Sequence, residues 1–108
     1  MTSVATLAGL LADPVRLSLV QALMDGRAWT AGELADSAGA SPQLASHHLA
    51  RLIEAGMVSV RPSGRHRYHR LAAEEVARAV ESLAVAGGAP AARGPRRVRS
   101  PEEVRFAR

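Results

Sequence analysis

The side chains best suited to chemistry lie between residues 41 and 70, and that chemistry is the binding of a polyanion. Five arginines and all four histidines of the chain fall there, against Glu54 alone, so the local net charge is +4. Both flanks are acidic: residues 1–40 hold two arginines against four carboxylates, and residues 71–92 hold one against three. Clustered positive charge attracts phosphate, and a merely solvated basic face is the alternative.

Two short helices are predicted to position these side chains. The first starts at Thr30, which forms a capping box with Glu33, and it ends at Gly39, with Leu34 and Ala35 pointing inward. Ser41-Pro42 starts the second helix, and Gly56 ends it. The apolar residues of the second helix share one face, which we expect to be buried: Ala45, Leu49, Leu52 and Ile53.

A β-hairpin is predicted directly after these helices. Its first strand covers residues 57–61, the turn is Pro62-Ser63-Gly64, and the return strand covers residues 65–71. Further helices flank this unit. One is formed by residues 4–11, and a second follows Asp13-Pro14 with a buried stripe of Leu17, Val20, Leu23 and Met24. A last amphipathic helix is predicted over residues 74–85.

The order α-α-α-α-β-β-α describes a mainly α fold with a small β-hairpin, a winged helix-turn-helix. In this fold the second helix of the turn enters the major groove of DNA, and the hairpin reaches the flanking phosphates. Gln43 can pair with adenine, and Arg65 at the hairpin tip can enter the minor groove. The predicted DNA-binding residues are Ser41, Gln43, Ser46, His47, Arg51, Arg61, Arg65 and Arg67.

Length and composition limit the other possibilities. The 108 residues suffice for one domain, predicted over residues 1–86 and followed by an Arg-, Pro- and Gly-rich tail (87–108) that we expect to be disordered or to begin a truncated segment. The absence of cysteine excludes disulfides and thiolate sites. No signal peptide or membrane-spanning run is recognisable, which favours a cytoplasmic protein. No catalytic motif is present, so an enzyme is not predicted.

The four histidines do not predict a metal site within one chain. His47 and His48 are adjacent and diverge by about 100° on a helix, and His66 and His69 fall on opposite faces of a strand. His47 is expected on the DNA-facing side, whereas His48 lies beside the apolar residues and is expected to be structural. Ligands from two subunits could still converge in a dimer.

The segments LADPVRLSLVQAL, TAGELADSAGASPQLASHHLARLIEAGMV and SGRHRYHRL, taken in this order, resemble the ArsR/SmtB family of winged-helix repressors over residues 5–85. The resemblance implies a homodimer that binds a pseudo-palindromic double-stranded DNA operator and releases it when an inducer binds. It also implies that the first and last helices form the dimer interface. Within these helices the interface residues are Val4, Leu7, Leu11, Val76, Val80 and Leu83.

The sequence departs from the family at its usual metal sites. Where metal-sensing members have a Cys-Val-Cys-Asp-Leu run, this chain has residues 30–34, TAGEL, and its last helix has no histidine. The metal ligands are therefore unknown and no cofactor is predicted. A non-standard nickel or zinc site of histidine and carboxylate, a small organic inducer and a partner protein remain alternatives for the signal. A winged helix used only for protein interaction is the alternative function.

Overall fold

The computed structural model describes residues 3–88, and five helices and three strands follow one another there. The predicted tail from residue 89 onward lies outside the described residues. The elements are α1 (Val4–Leu11), α2 (Pro14–Leu23), β1 (Trp29–Thr30), α3 (Ala31–Ala38), α4 (Pro42–Glu54), β2 (Val58–Ser63), β3 (His66–Leu71) and α5 (Glu74–Ala86). The winged helix-turn-helix prediction is confirmed, with one strand added to it.

Four helices begin at a polar residue that caps them, and the starts at Thr30 and Ser41 are as predicted from the sequence. Ser3, Asp13, Thr30 and Ser41 each accept hydrogen bonds from backbone N–H groups of the first turn. The capping box is complete: Thr30 Oγ1 accepts from the Glu33 N–H at 3.1 Å, and Glu33 Oε1 accepts from the Thr30 N–H at 2.9 Å. A cap of this kind stabilises a helix by about 1 kcal/mol, so the helix starts are fixed locally.

The predicted two-stranded hairpin is part of a three-stranded antiparallel sheet of order β1-β3-β2. β1 pairs with β3 so that Trp29 lies opposite His69 and Thr30 opposite Tyr68. His69 strengthens this pairing, because its Nδ1–H donates to the Trp29 carbonyl oxygen at 3.0 Å. A two-residue strand is too short to show alternation in the sequence, so β1 was not predicted.

The hairpin turn is shorter than predicted. Pro62 and Ser63, expected in the turn, belong to β2, where they pair with Arg67 and His66. Only Gly64 and Arg65 remain as the loop, and Gly64 has a φ of 61°, the arrangement of a type II′ turn. Proline is tolerated there because β2 is an edge strand.

The core lies where α2, α3, α4 and the sheet meet. The stripe predicted for α2 is partly wrong: Val20 and Leu23 are buried, but Leu17 and Met24 are half-buried and the fully buried Leu19 was not in it. The reason is that α2 contacts α1, α3, α4 and β3, so its buried surface is broader than one stripe. The largest fully buried side chains are Leu19, Leu23, Leu34, Leu49, Leu52 and Val20.

Among residues 3–88, no single helix is long and apolar enough to cross a membrane. Only α1 and α2 taken together reach that length and composition, and they meet at a bend of 99°.

Candidate nucleic-acid interface

The outer face of α4 carries the predicted DNA-reading side chains. α3 and α4 pack together across a turn at Gly39, whose φ of 67° is left-handed. Ala45, His48, Leu49 and Leu52 are buried on the inner face of α4. The five residues predicted to meet DNA from this helix and its cap are all exposed: Ser41, Gln43, Ser46, His47 and Arg51.

The start of α4 is shaped for a phosphate or a base edge. Ser41 Oγ accepts from the Leu44 N–H at 3.1 Å, which leaves the Ser41 hydroxyl proton available to an acceptor. Leu44 is 40% exposed beside Gln43, and sequence reasoning missed it as a contact residue. An exposed leucine at this point can contact a thymine methyl group. The sequence does hold a sign of this contact, because Leu44 is an apolar residue that lies outside the predicted buried face of α4.

The three arginines predicted on the wing are exposed but do not share one surface. Arg61 lies across from Tyr68, on the outer face of the sheet, whereas Arg67 pairs with Pro62 and points to the other face. Arg65 occupies the turn at the tip. The wing therefore presents positive charge on two sides and at its end.

The outer face of the sheet also holds residues that the sequence prediction omitted. A hollow of about 660 Å³ is lined by Ser59, Arg61, Tyr68 and Arg70, among others. Two guanidinium groups and hydroxyl donors suit this surface to phosphate oxygens. Tyr68 and Arg70 are two residues apart on β3, so strand alternation puts them on the same side of the sheet.

The predicted DNA-binding arginines keep their charge available. Arg27–Asp25 and Arg78–Glu74 are ion pairs within residues 3–88. Neither involves Arg51, Arg61, Arg65 or Arg67. A guanidinium without an internal carboxylate partner can form charge-assisted hydrogen bonds to phosphate.

A polar cluster of the half-buried Asp13 and Arg16 and the buried His48 lies beneath α4. Asp13 Oδ1 accepts from the Val15 and Arg16 N–H groups at 2.8 and 3.0 Å, and the Arg16 N–H bond is the main reason its pKa is lowered. Arg16 Nη1 lies 3.1 Å from His48 Nδ1, and His48 Nε2 lies 3.8 Å from Asp13 Oδ1. The cluster thus joins the start of α2 to the inner face of α4.

Burial favours the neutral form of two histidines, His48 and His69. Desolvation lowers the pKa of His48, and the nearby Asp13 carboxylate only partly opposes it. Desolvation likewise lowers the pKa of His69, against its hydrogen bond to the Trp29 carbonyl. His48 was predicted to be structural, and its side chain is indeed buried.

The free energy of unfolding is expected to fall as the pH drops below the ordinary histidine pKa of 6.5. Both pKa values are lower in the folded state, so the unfolded chain binds more protons in this range and acid favours it. Urea denaturation between pH 7.5 and pH 5 would measure this loss. The His69→Gln variant removes one of the two groups, so its stability should depend less steeply on pH; an unchanged slope would contradict the assignment.

Metal ligands are not grouped in the described part of the chain. No three His, Asp or Glu side chains between residues 3 and 88 lie close enough to hold a metal ion. His66 is exposed and His69 is buried, in agreement with their predicted opposite faces.

Comparison with known proteins identifies a similar architecture. The model of a helix-turn-helix domain family matches residues 11–61. The winged helix-turn-helix DNA-binding domain of Mb0332 from Mycobacterium bovis, a homodimer and a possible ArsR-family transcriptional regulator, is 31% identical. The similarity covers 78% of this chain and 77% of that one, with a TM-score of 0.72. The transcriptional repressor BigR from Xylella fastidiosa is 33% identical over 81% of this chain and 88% of its own, also with a TM-score of 0.72.

A longer relative is more similar in sequence. The HTH-type transcriptional regulator YdfF of Bacillus subtilis is 49% identical over 81 residues, which are 75% of this chain. The match spans only 36% of the length of YdfF. With the helix-turn-helix, the wing and these similarities together, the chain belongs to the ArsR/SmtB family of winged helix-turn-helix transcriptional regulators.

Proposed function

We propose that this protein binds a pseudo-palindromic operator as a homodimer and represses transcription from it. The observation that carries the proposal is the outer surface of α4, where exposed Ser41, Gln43, Ser46, His47 and Arg51 stand on a helix whose other face is locked into the core. The arginines of the wing lie beyond it for the flanking phosphates. We expect this activity in the cytoplasm, where the DNA is.

Two helices supply an apolar surface for the second subunit. α1 is apolar along most of its length, yet Leu10 is its only buried residue, and Val4 is 83% exposed. α5 buries only Val80, and its Leu83 is 57% exposed. Leu7, Leu11 and Val76 are half-buried beside these positions. Val80 packs within its own subunit and would hold α5 in place for the dimer.

A symmetric dimer explains the form of the operator. Two α4 helices related by a two-fold axis read the same sequence in opposite directions, in half-sites spaced by about 34 Å or one turn of DNA. The homodimeric state of the Mb0332 domain supports this arrangement. The family resemblance further implies that an inducer releases the protein from DNA. Genome-wide mapping of the bound sites would indicate the chemical class of this inducer, because the neighbouring genes would suggest the signal.

Gln43→Ala is expected to weaken binding to the operator by about 1–3 kcal/mol and to leave nonspecific duplex binding nearly unchanged. The reason is that an amide pairing with a base edge contributes only at the correct sequence. Arg65→Ala is the matched variant, because a charge at the wing tip is expected to contribute to both kinds of DNA. The operator is obtained by in vitro selection from random duplexes, and a scrambled duplex of equal length serves as nonspecific DNA.

Dissociation constants for both duplexes, measured at two salt concentrations, test whether base and phosphate contacts are divided in this way and whether the protein binds DNA at all. If both variants lose the same affinity on both duplexes, the proposed division between base and phosphate contacts is wrong. If the unaltered protein shows no salt-dependent duplex binding at all, the winged helix is a protein-interaction module instead.

A further inference from the structure

One arginine connects three helices of the subunit. Arg16, in the first turn of α2, donates from Nε to the Leu10 carbonyl oxygen of α1 at 2.7 Å. Its Nη1 reaches the imidazole Nδ1 of His48 on α4 at 3.1 Å. The Arg16 side chain is therefore a direct link between α1, which belongs to the proposed dimer surface, and the helix proposed to read DNA.

The hydrogen bond from Arg16 determines the protonation state and the tautomer of His48. A guanidinium can only donate hydrogen bonds, so His48 Nδ1 must accept, and the ring must be neutral with its proton on Nε2. Asp13 Oδ1 lies 3.8 Å from Nε2, which is near enough for an electrostatic contact but too far for a hydrogen bond. Asp13 is itself held by the backbone N–H groups of Val15 and Arg16.

The histidine end of the link is buried, whereas Arg16 and Asp13 are half-buried. His48 is 7% exposed, and the adjacent Leu49 and Leu52 belong to the core. A buried donor or acceptor that loses its partner is costly, because water does not replace the bond. Arg16 and His48 are therefore held together in the folded subunit, although 32 residues separate them in the chain.

We propose that Arg16 and His48 are positioning residues for operator binding, which fix α4 relative to α1 without contacting DNA themselves. The inference rests on the proposed function, since it assigns a role within dimeric DNA binding. In a dimer built on α1 and α5, the angle between α1 and α4 sets the separation of the two reading helices. That separation must match the half-site spacing.

Protonation of His48 should break the link. A proton on Nδ1 would point a second hydrogen-bond donor and a positive charge at the Arg16 guanidinium. The nearby Asp13 carboxylate would offset this charge only in part. The other charged groups near the ring, His47 and Arg51, also lie on α4 and disfavour a positive charge there. Acid should therefore weaken operator binding.

The test uses two conservative variants and one control in the full chain. Arg16→Lys keeps the charge but cannot reach both Leu10 and His48 in the same way. His48→Gln keeps an oxygen acceptor for Arg16 and removes the titration. His47→Gln makes the same substitution at the neighbouring exposed position. Affinities for the selected operator and the scrambled duplex are measured at pH 7.5 and pH 5.5, together with thermal melting.

For Arg16→Lys we expect operator affinity to fall about tenfold at pH 7.5, the size of one lost charged hydrogen bond. Affinity for the scrambled duplex should stay within about twofold, because single-subunit phosphate contacts do not depend on half-site spacing. Partial unfolding would lower binding to both duplexes equally, so the ratio of the two affinities separates positioning from stability. His48→Gln should still bind the operator, but its affinity should no longer fall in acid. His47→Gln should show the same fall in acid as the unaltered protein.

Two results would overturn the inference. If Arg16→Lys leaves the ratio of operator to scrambled affinity unchanged, α4 does not depend on the link. If His48→Gln shows the same acid loss as the unaltered protein, His48 is not the titrating group. In both cases the unaltered protein still binds the operator, whereas absence of that binding would overturn the proposed function itself.

Discussion

Leu52→Ala is expected to lower the free energy of unfolding by about 2–5 kcal/mol, because it leaves a cavity at a fully buried position. Leu52 is 0% exposed and belongs to the same core cluster as Leu34, Leu49 and Met57. For a domain of this size the melting temperature should fall by about 10 °C or more. Since Leu52 is the inner anchor of α4, operator binding should be lost at temperatures where the unaltered protein still binds.

The control for this prediction lies on the same helix. Leu44→Ala removes the same atoms from a side chain that is 40% exposed, and it should change stability by only about 0.5 kcal/mol. Urea denaturation of both variants at one protein concentration makes the comparison, since a dimer's stability depends on concentration. Equal losses for Leu44→Ala and Leu52→Ala would show that α4 is not anchored through its inner face.

Leu83→Asp is expected to convert the dimer into a monomer and to weaken operator binding by about a hundredfold or more. A carboxylate placed in an apolar interface loses its hydration without gaining a partner. The two reading helices then bind independently, and the gain from simultaneous binding of both half-sites is lost. Analytical ultracentrifugation gives the oligomeric state, and binding to the full operator and to an isolated half-site gives the loss.

Val85→Asp is the matched control for the dimer prediction. Val85 is also exposed and apolar, at 50%, but it is two residues from Leu83 and so points to nearly the opposite side of α5. This variant should remain dimeric and should bind the operator normally. A monomeric Val85→Asp, or a dimeric Leu83→Asp, would place the subunit contact elsewhere.

The part of the proposed interface that lies on α4 was predictable because its determinants are local. The cap at Ser41 and the apolar spacing from Ala45 to Leu52 act within a few residues, and helical periodicity then fixes which side chains face outward. The exposed Gln43, Ser46 and His47 follow from that spacing alone. The wing was less predictable, since the strand position of Pro62 depends on β2 being an edge strand.

The sequence by itself thus determined the helix starts, the helix-turn-helix unit and the family of this protein. Tertiary structure alone decided the features that join distant segments. β1 exists only because Trp29 and Thr30 pair with β3 about 40 residues later, and the full burial of Leu19 follows from four elements packing around α2. The Arg16–His48 link is of the same kind: two polar residues 32 positions apart carry no pattern that predicts their contact. Helix capping and apolar periodicity are determined by neighbouring residues, whereas contacts between distant segments depend on how the helices and strands pack.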